Sequence, residues 1–570
     1  MHPAKLIAVA KGDSPPDLLL KNARIINTFT GEIEEGDVAI CGDRIAGIGD
    51  YGGAKESIDL HGDYLAPGLI DGHIHIESSM LHPSQYARAV VPRGISALIT
   101  DLHELSNVCG IDGIKFVVNW SPKLPLDILL MAPSCVPATP LETAGSKITA
   151  ADIKQILAFP NVIGLGEVMN FPGVVNRDEE VLSKIAASRG KVIDGHAPGL
   201  SGKELNAYIA AGTMSDHECA TYEEGKEKLK RGMYLMIREG SAEKNLADLL
   251  PLVNDNTYRR CFFVVDDRSC SDLLHEGDVD AVVRKAISRG LEPVRALQMA
   301  TLNTAEYFRL YDRGAVAPGY RADLITLTEL PGLKVDRVFH KARLVAQGGK
   351  CLFPAPQAPP ELTGTVHIKK PLTIESLSLR AERSNLTAKT YPVIEIVPGQ
   401  ITTRKRLIEV SIDRGTVVPD AEKDILKLVV VERHRASGNV GVGLVTGFGL
   451  KKGALASSIA HDSHNIIAVG ASDADILRAI EEIENLGGGL IVSAGGEIRA
   501  SLPLPIAGLL SPEPLETVVA QFEKVEKTAA SLGDLPPAPF SILSFLALSV
   551  IPELRLTDLG LVDVNEFRLI

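Results

Sequence analysis

The chain has 570 residues, 45% of them apolar and 23% charged, with Lys+Arg 59 against Asp+Glu 72 and a formal net charge of −13. These values sit near globular averages and exclude wholesale disorder, and at roughly 150 residues per domain the length predicts about four units. The acidic balance argues against a nucleic-acid binder, which carries a basic footprint, and suits a soluble enzyme. Cys41, Cys109, Cys135, Cys219, Cys261, Cys270 and Cys351 are sparse, and none form a Cys-x-x-Cys pair, so neither a redox motif nor a Cys-rich zinc knuckle is present. The N-terminal MHPAKLIAVAKGDSPPD holds too short an apolar run for a signal peptide, and SILSFLALSVIPEL at 541–554 is too short to span a bilayer. The expectation is a reduced, cytoplasmic protein with no membrane partner.

Residues 17–62 read as short strands separated by Gly/Asp turns, in DLLLKNARIIN and GDVAICGDRIAGIGD, and the same texture returns at 320–350. The two flanks, 1–62 and 320–355, are expected to build one small β-sandwich. Between them, over 63–319, eight apolar runs alternate with helical stretches: YLAPGLIDG, SALITD, DILLMAPSC, NVIGLGEV, KVIDGHA, TMSDHEC, YLMIREG and CFFVVDDR. Helices predicted at 178–190, 202–212 and 223–232 each stop at a glycine, a common helix terminator. In the last of these, Lys226, Lys228, Lys230 and Arg231 read as a solvated face. Eight strands alternating with helices predict an α/β protein built on a (β/α)8 TIM-like barrel.

A Pro-rich linker, FPAPQAPPEL, follows Leu352, and residues 364–570 read as a separate C-terminal α/β domain. A helix is predicted over 473–485, followed by Gly487, Gly488 and Gly489. Gly441, Gly443, Gly447, Gly449 and Gly453 miss a dinucleotide-binding spacing by one place and read as turns and close packing.

Ligand-capable residues fall at the ends of the predicted strands, where a barrel carries its chemistry. The first strand ends in Asp71-Gly72-His73-Ile74-His75, and alternation puts both histidines on one side, within reach of one metal. The fourth run ends at Glu167, the fifth at His196, the sixth at His217 and the eighth at Asp266-Asp267-Arg268. Barrel packing needs none of these residues, since its interior prefers branched apolar side chains, so the set predicts a metal site. His103 and Glu104, closing the second strand, are expected to contact substrate or to orient ligands, as are Asp267 and Arg268.

PGLIDGHIHIES at 67–78, with its flanking strands, resembles the amidohydrolase superfamily of metal-dependent hydrolases. Carried over residue by residue, that resemblance implies the ligands His73, His75, Glu167, His196, His217 and Asp266. Glu at 167, where dihydroorotase-like members carry a carboxylated Lys, weakens a cyclic-amide reading. A finer resemblance, to the bacterial-type adenine deaminase family, rests on TDLHELSNV, GLGEVMNFPGVV, DGHAPGLSG, SDHE, REGSAEKNL, DDR, VERHRASGNVGVGLVTGFGL and SSIAHDSHNIIAVG. It departs from the family pattern at Leu102, where Pro is expected.

The resemblance implies two divalent ions per subunit, Mn2+ or Fe2+ favoured over Zn2+, and hydrolytic attack at C6 of adenine in purine salvage or catabolism. It also implies a homodimer or higher homo-oligomer. Asp266 is expected to move the proton, and Glu239, after the seventh strand, to protonate the ring. His434, His461, Asp462 and His464 are candidates to approach the barrel mouth, His461 and His464 as substrate contacts. Two alternatives stay open: a hydrolase of another aminopurine or cyclic amide, and a non-catalytic barrel serving as a scaffold.

Overall fold

The computed structural model describes the chain except for residues 1–2, 357–358, 360, 381–389 and 414. The eight apolar runs form eight parallel strands: β1 (Leu69–Ile74), β2 (Ile95–Asp101), β3 (Asp127–Ala132), β4 (Val162–Val168), β5 (Val192–Gly195), β6 (Ser215–Asp216), β7 (Tyr234–Arg238) and β8 (Cys261–Val264). Strands β1 to β5 make a five-stranded sheet and β6 to β8 a three-stranded one. The sheets adjoin on both sides. The Met214 amide donates to the Ile193 carbonyl at 3.0 Å, while the His75 and Asp266 amides donate to the Asp266 and His73 carbonyls at 3.0 and 2.9 Å. This mixed α/β arrangement fits a TIM-like barrel.

Alternation along the strands sorts the core. Ile70, Ala97, Ile99, Leu129, Met131, Met236, Phe262 and Val264 cluster with one another. Leu69, Leu98, Leu130, Leu165, Leu235, Ile237 and Phe263 belong instead to the large cluster that includes the surrounding helices. Three of those helices, Glu179–Ala187, Gly202–Ala210 and Tyr222–Lys230, end just before Gly190, Gly212 and Gly232, all at positive φ, as the sequence predicts.

The two flanks do meet. Tyr64–Pro67 pairs in parallel with Leu18–Ile26 and antiparallel with Leu324–Glu329. The result is one continuous nine-stranded sheet rather than two sheets bonded separately, because this short strand links the halves edge to edge.

The C-terminal portion carries an eight-stranded sheet, with the helices Asp473–Leu486 and Leu515–Ala530 beside it. Gly441 lies in the strand Val440–Thr446 against the Thr557 carbonyl, and the Gly447 and Gly449 amides donate to Asp424, so these glycines serve packing and turns. This portion packs on the eight-stranded middle region through the Leu81–Ser511 bridge, the Thr139–Ser549 hydroxyl pair and the Arg88–Glu516 ion pair. Among the described residues no helix is long and apolar enough to cross a membrane.

Candidate active site

Five strand ends bring six buried side chains together. The Nε2 atoms of His73 and His75 lie 3.2 Å apart and 3.3 and 3.2 Å from Asp266 Oδ1. Glu167 sits between two histidine groups. Its Oε1 is 3.1 Å from His75 Nε2, while its Oε2 is 2.8 Å from His196 Nδ1 and 3.1 Å from His217 Nε2. Burial opposes the charged form of Glu167, but His217, His196 and His75 outweigh it and hold the carboxyl well below its ordinary value. Asp266, at φ +63°, lies in the left-handed region that non-glycine residues seldom adopt, a form of strain found at functional sites.

Other buried groups orient the six. His75 Nδ1 donates to the Asp101 carbonyl at 2.9 Å, and Asp101 Oδ2 accepts the Glu167 amide at 3.0 Å. Arg238 Nη1 donates to Asp266 Oδ2 at 2.7 Å and also pairs with Glu218. Lys228 departs from the solvated face read from the sequence. It is buried and bonds Asp216 at 3.0 Å, Glu224 at 2.8 Å and the Ala197 carbonyl at 2.7 Å. Its ammonium thereby ties the chain beside His217 to the chain beside His196. Its neighbours two positions away on the helix, Lys226 and Lys230, point elsewhere because helical residues that close do not share a face.

A cavity opens above these residues. Its charged wall includes His103, Glu104, Glu218, Arg238, Glu243 and Asp267; its apolar wall is Met169, Ile401, Phe545, Leu548 and Ile551, with His461 and Asp462 beside it. Several sequence expectations meet here: His103 lies 3.5 Å from Glu167 and 3.7 Å from Asp462, and the His461 ring stacks on Phe545 at 4.8 Å.

Others do not. Glu239 is not on the cavity wall; its carboxyl accepts the Leu246 amide and pairs with Lys285. Arg238 ends β7 pointing inward, so the next residue faces the other way. Arg268 turns to the Gly277 and Glu239 carbonyls and to Glu276, away from Asp267. His464 is buried off the cavity, its Nδ1 accepting the Ala460 amide, and His434 meets the Ser463 carbonyl. Sequence reasoning missed Glu218 and Glu243, although each lies within a motif it singled out. It also missed the apolar wall, whose residues carry no polar signal.

Residues 64–345, which contain all six converging side chains, match the amidohydrolase family, and residues 400–568 match the adenine deaminase C-terminal domain. An adenine deaminase of Dehalococcoides mccartyi is 59% identical across 100% of this chain and 98% of its own. The chain belongs to the adenine deaminase family. Adenine deaminase 2 of Carboxydothermus hydrogenoformans is 51% identical over 100% of this chain and 99% of its own, and the adenine deaminase of Halalkalibacterium halodurans is 45% identical over 99% and 97%. The cavity joins the two matched regions, with the charged wall on the amidohydrolase part and the apolar wall, Met169 apart, on the adenine deaminase C-terminal domain.

Proposed function

We infer that this chain hydrolyses adenine to hypoxanthine and ammonia. The observation that carries the reading is the convergence of His73, His75, Glu167, His196, His217 and Asp266 beneath a wall supplied by the adenine deaminase C-terminal domain. A further part of this reading is that β1 to β8 close a barrel over 63–319, that 1–62 and 320–355 form its companion unit, and that 364–570 form a third.

The six residues fit a pair of divalent ions. The Nδ1–H bond of His75 to a main-chain carbonyl leaves its Nε2 lone pair aimed at the same point as that of His73. The two oxygens of Glu167 face different histidine groups, as a carboxylate shared by two cations would. His73, His75 and Asp266 would hold one ion, His196 and His217 the other, and Glu167 both. Imidazole and carboxylate donors without thiolate suit Mn2+, Fe2+ or Zn2+. When bound, such an ion lowers the pKa of a water from 15.7 to about 7 and so supplies the hydrolytic oxygen at neutral pH.

The chain's own groups handle the protons and the ring. Burial opposes the charge on Asp266, but His217, His73, His75 and Arg238 outweigh it, so the carboxylate is ionised and can take a proton from the attacking oxygen. Arg238 donates to Oδ2 and fixes how the Asp266 carboxylate sits beside the departing amine. Purine N1 must gain a proton as C6 becomes tetrahedral, and Glu243, which burial pushes up to about 7, is the acid on the cavity wall suited to give it. Ile401, Phe545, Leu548 and Ile551 cover the flat ring and keep bulk water out.

The test is to express the protein with Mn2+ and follow loss of the adenine ultraviolet band together with ammonia release. Matched yields of hypoxanthine and ammonia are expected. Inertness toward adenine, with turnover of guanine or another aminated ring, would replace the substrate and keep the hydrolase.

A further inference from the structure

Met169 apart, the apolar wall of the cavity is drawn from separate stretches of chain: the loop at 401, the end of the helix Pro539–Phe545, and the turn through Leu548 and Ile551. One side chain joins them. Arg555, in the strand Leu554–Thr557, is 0% exposed, and its guanidinium donates only to main-chain carbonyls. Nε bonds Ile551 at 2.8 Å, Nη1 bonds Phe545 at 2.9 Å, and Nη2 bonds Ile401 at 2.6 Å and Pro552 at 3.2 Å. Three of these four residues line the cavity.

We propose that Arg555 is a positioning residue for the adenine site, holding Ile401, Phe545 and Ile551 in the arrangement that receives the ring. This rests on the adenine reading of the cavity.

A buried guanidinium is costly unless its donors are matched, and no ion pair joins a carboxylate to Arg555 among the described residues. Loss of hydration on burial accordingly brings its pKa down to about 9. An apolar residue of similar volume would fill the space without that cost. What it could not do is hold several carbonyls at fixed mutual angles, which the planar fork of five N–H groups does. The carbonyl of Phe545 closes a helix whose last acceptors lack partners within the helix, so Arg555 also caps that end. Thr403 separately fastens its own segment, through the Leu554 and Pro552 carbonyls, so the fold of this region does not rest on Arg555 alone. The bonds specific to Arg555 are those to the backbone of the wall. A wall set before the substrate arrives spares the ordering cost at binding, which affects affinity more than the chemical step.

The test compares wild type, Arg555→Lys and Arg555→Met with adenine, measuring kcat, KM, bound metal and Tm. For Arg555→Met we expect KM to rise about tenfold with kcat within about threefold, the signature of lost uniform binding. Metal content should stay at the wild-type level, and Arg555→Lys, with fewer donors, should fall between. Phe545→Ala should raise KM by itself, and Arg555→Met in that background should add less than it does alone, since both act on one wall. Should Arg555→Met not fold, Arg555→Lys and Phe545→Ala decide the matter. A lowered Tm with unchanged KM in all variants would make Arg555 structural only and overturn the proposal. Failure of the wild type to deaminate adenine would instead remove the reading beneath it.

Discussion

At the scale of single residues, the site depends on which way neighbouring side chains point. Glu239 and Glu243 are four positions apart, and only Glu243 of the two lines the cavity. The isolated bridge between Glu239 and Lys244 folds the loop back on β7, which leaves Glu243 on the cavity and Glu239 behind it with Lys285. Glu243→Gln should lower kcat at neutral pH by about 10²-fold or more, the usual worth of a general acid. Glu239→Gln should change kcat little and lower Tm, because Lys285 loses its carboxylate partner. Steady-state kinetics beside thermal melts read both effects, and a reversed ranking would return the role to Glu239.

At the scale of elements, the converging side chains stay in register only while β5 and β6 stay close. Gly195 lies between Asp194 and His196, and a Cβ there would overlap the Ser215 carbonyl oxygen, a backbone atom held in β6. Gly195→Ala should therefore push apart the strand ends that carry His196 and His217. Overpacking of this kind costs about 1–3 kcal/mol. A lower Tm and less metal retained after dialysis are expected; wild-type values for both would show that the strands have slack.

The strands and the converging polar residues were legible because most runs are largely apolar, as buried parallel strands are, and end in polar residues. His73, His75, Glu167, His196, His217 and Asp266 could be read this way. Helix ends were legible from Gly190, Gly212 and Gly232. Long-range partners were not. Lys228 looks like its solvated neighbours until Asp216, in the strand before its helix, is seen beside it, and Ile401 or Phe545 looks like any core residue. Strand pairing between the two flanks also has no local signal beyond alternation, so their union into one sheet shows only in the folded chain.

At the scale of the whole molecule, the amidohydrolase part and the C-terminal portion share one apolar cluster, with residues from Ile26 to Leu561 in it. Polar groups are caught in that junction, and Glu142 is among them. It is 6% exposed; one carboxyl oxygen accepts the Ser549 hydroxyl at 2.9 Å and the other has no partner among the described residues. Burial, with Asp462 and Asp558 adding to it, pushes Glu142 from 4.5 up to about 8. The sign follows from linkage. Between about 4.5 and 8 the unfolded chain has released this proton while the folded chain retains it, so the unfolded state binds fewer protons and this group lowers stability as pH rises. Below that window both states are protonated, and above it both are ionised, so its contribution no longer changes. Glu142→Gln keeps the shape and the hydrogen bond but cannot ionise. Its Tm should therefore fall less steeply than that of wild type between about pH 5 and pH 8, with the two curves drawing apart toward the alkaline end. Parallel curves across that range would mean that Glu142 is already ionised in the folded protein, and that the junction of the two portions admits water.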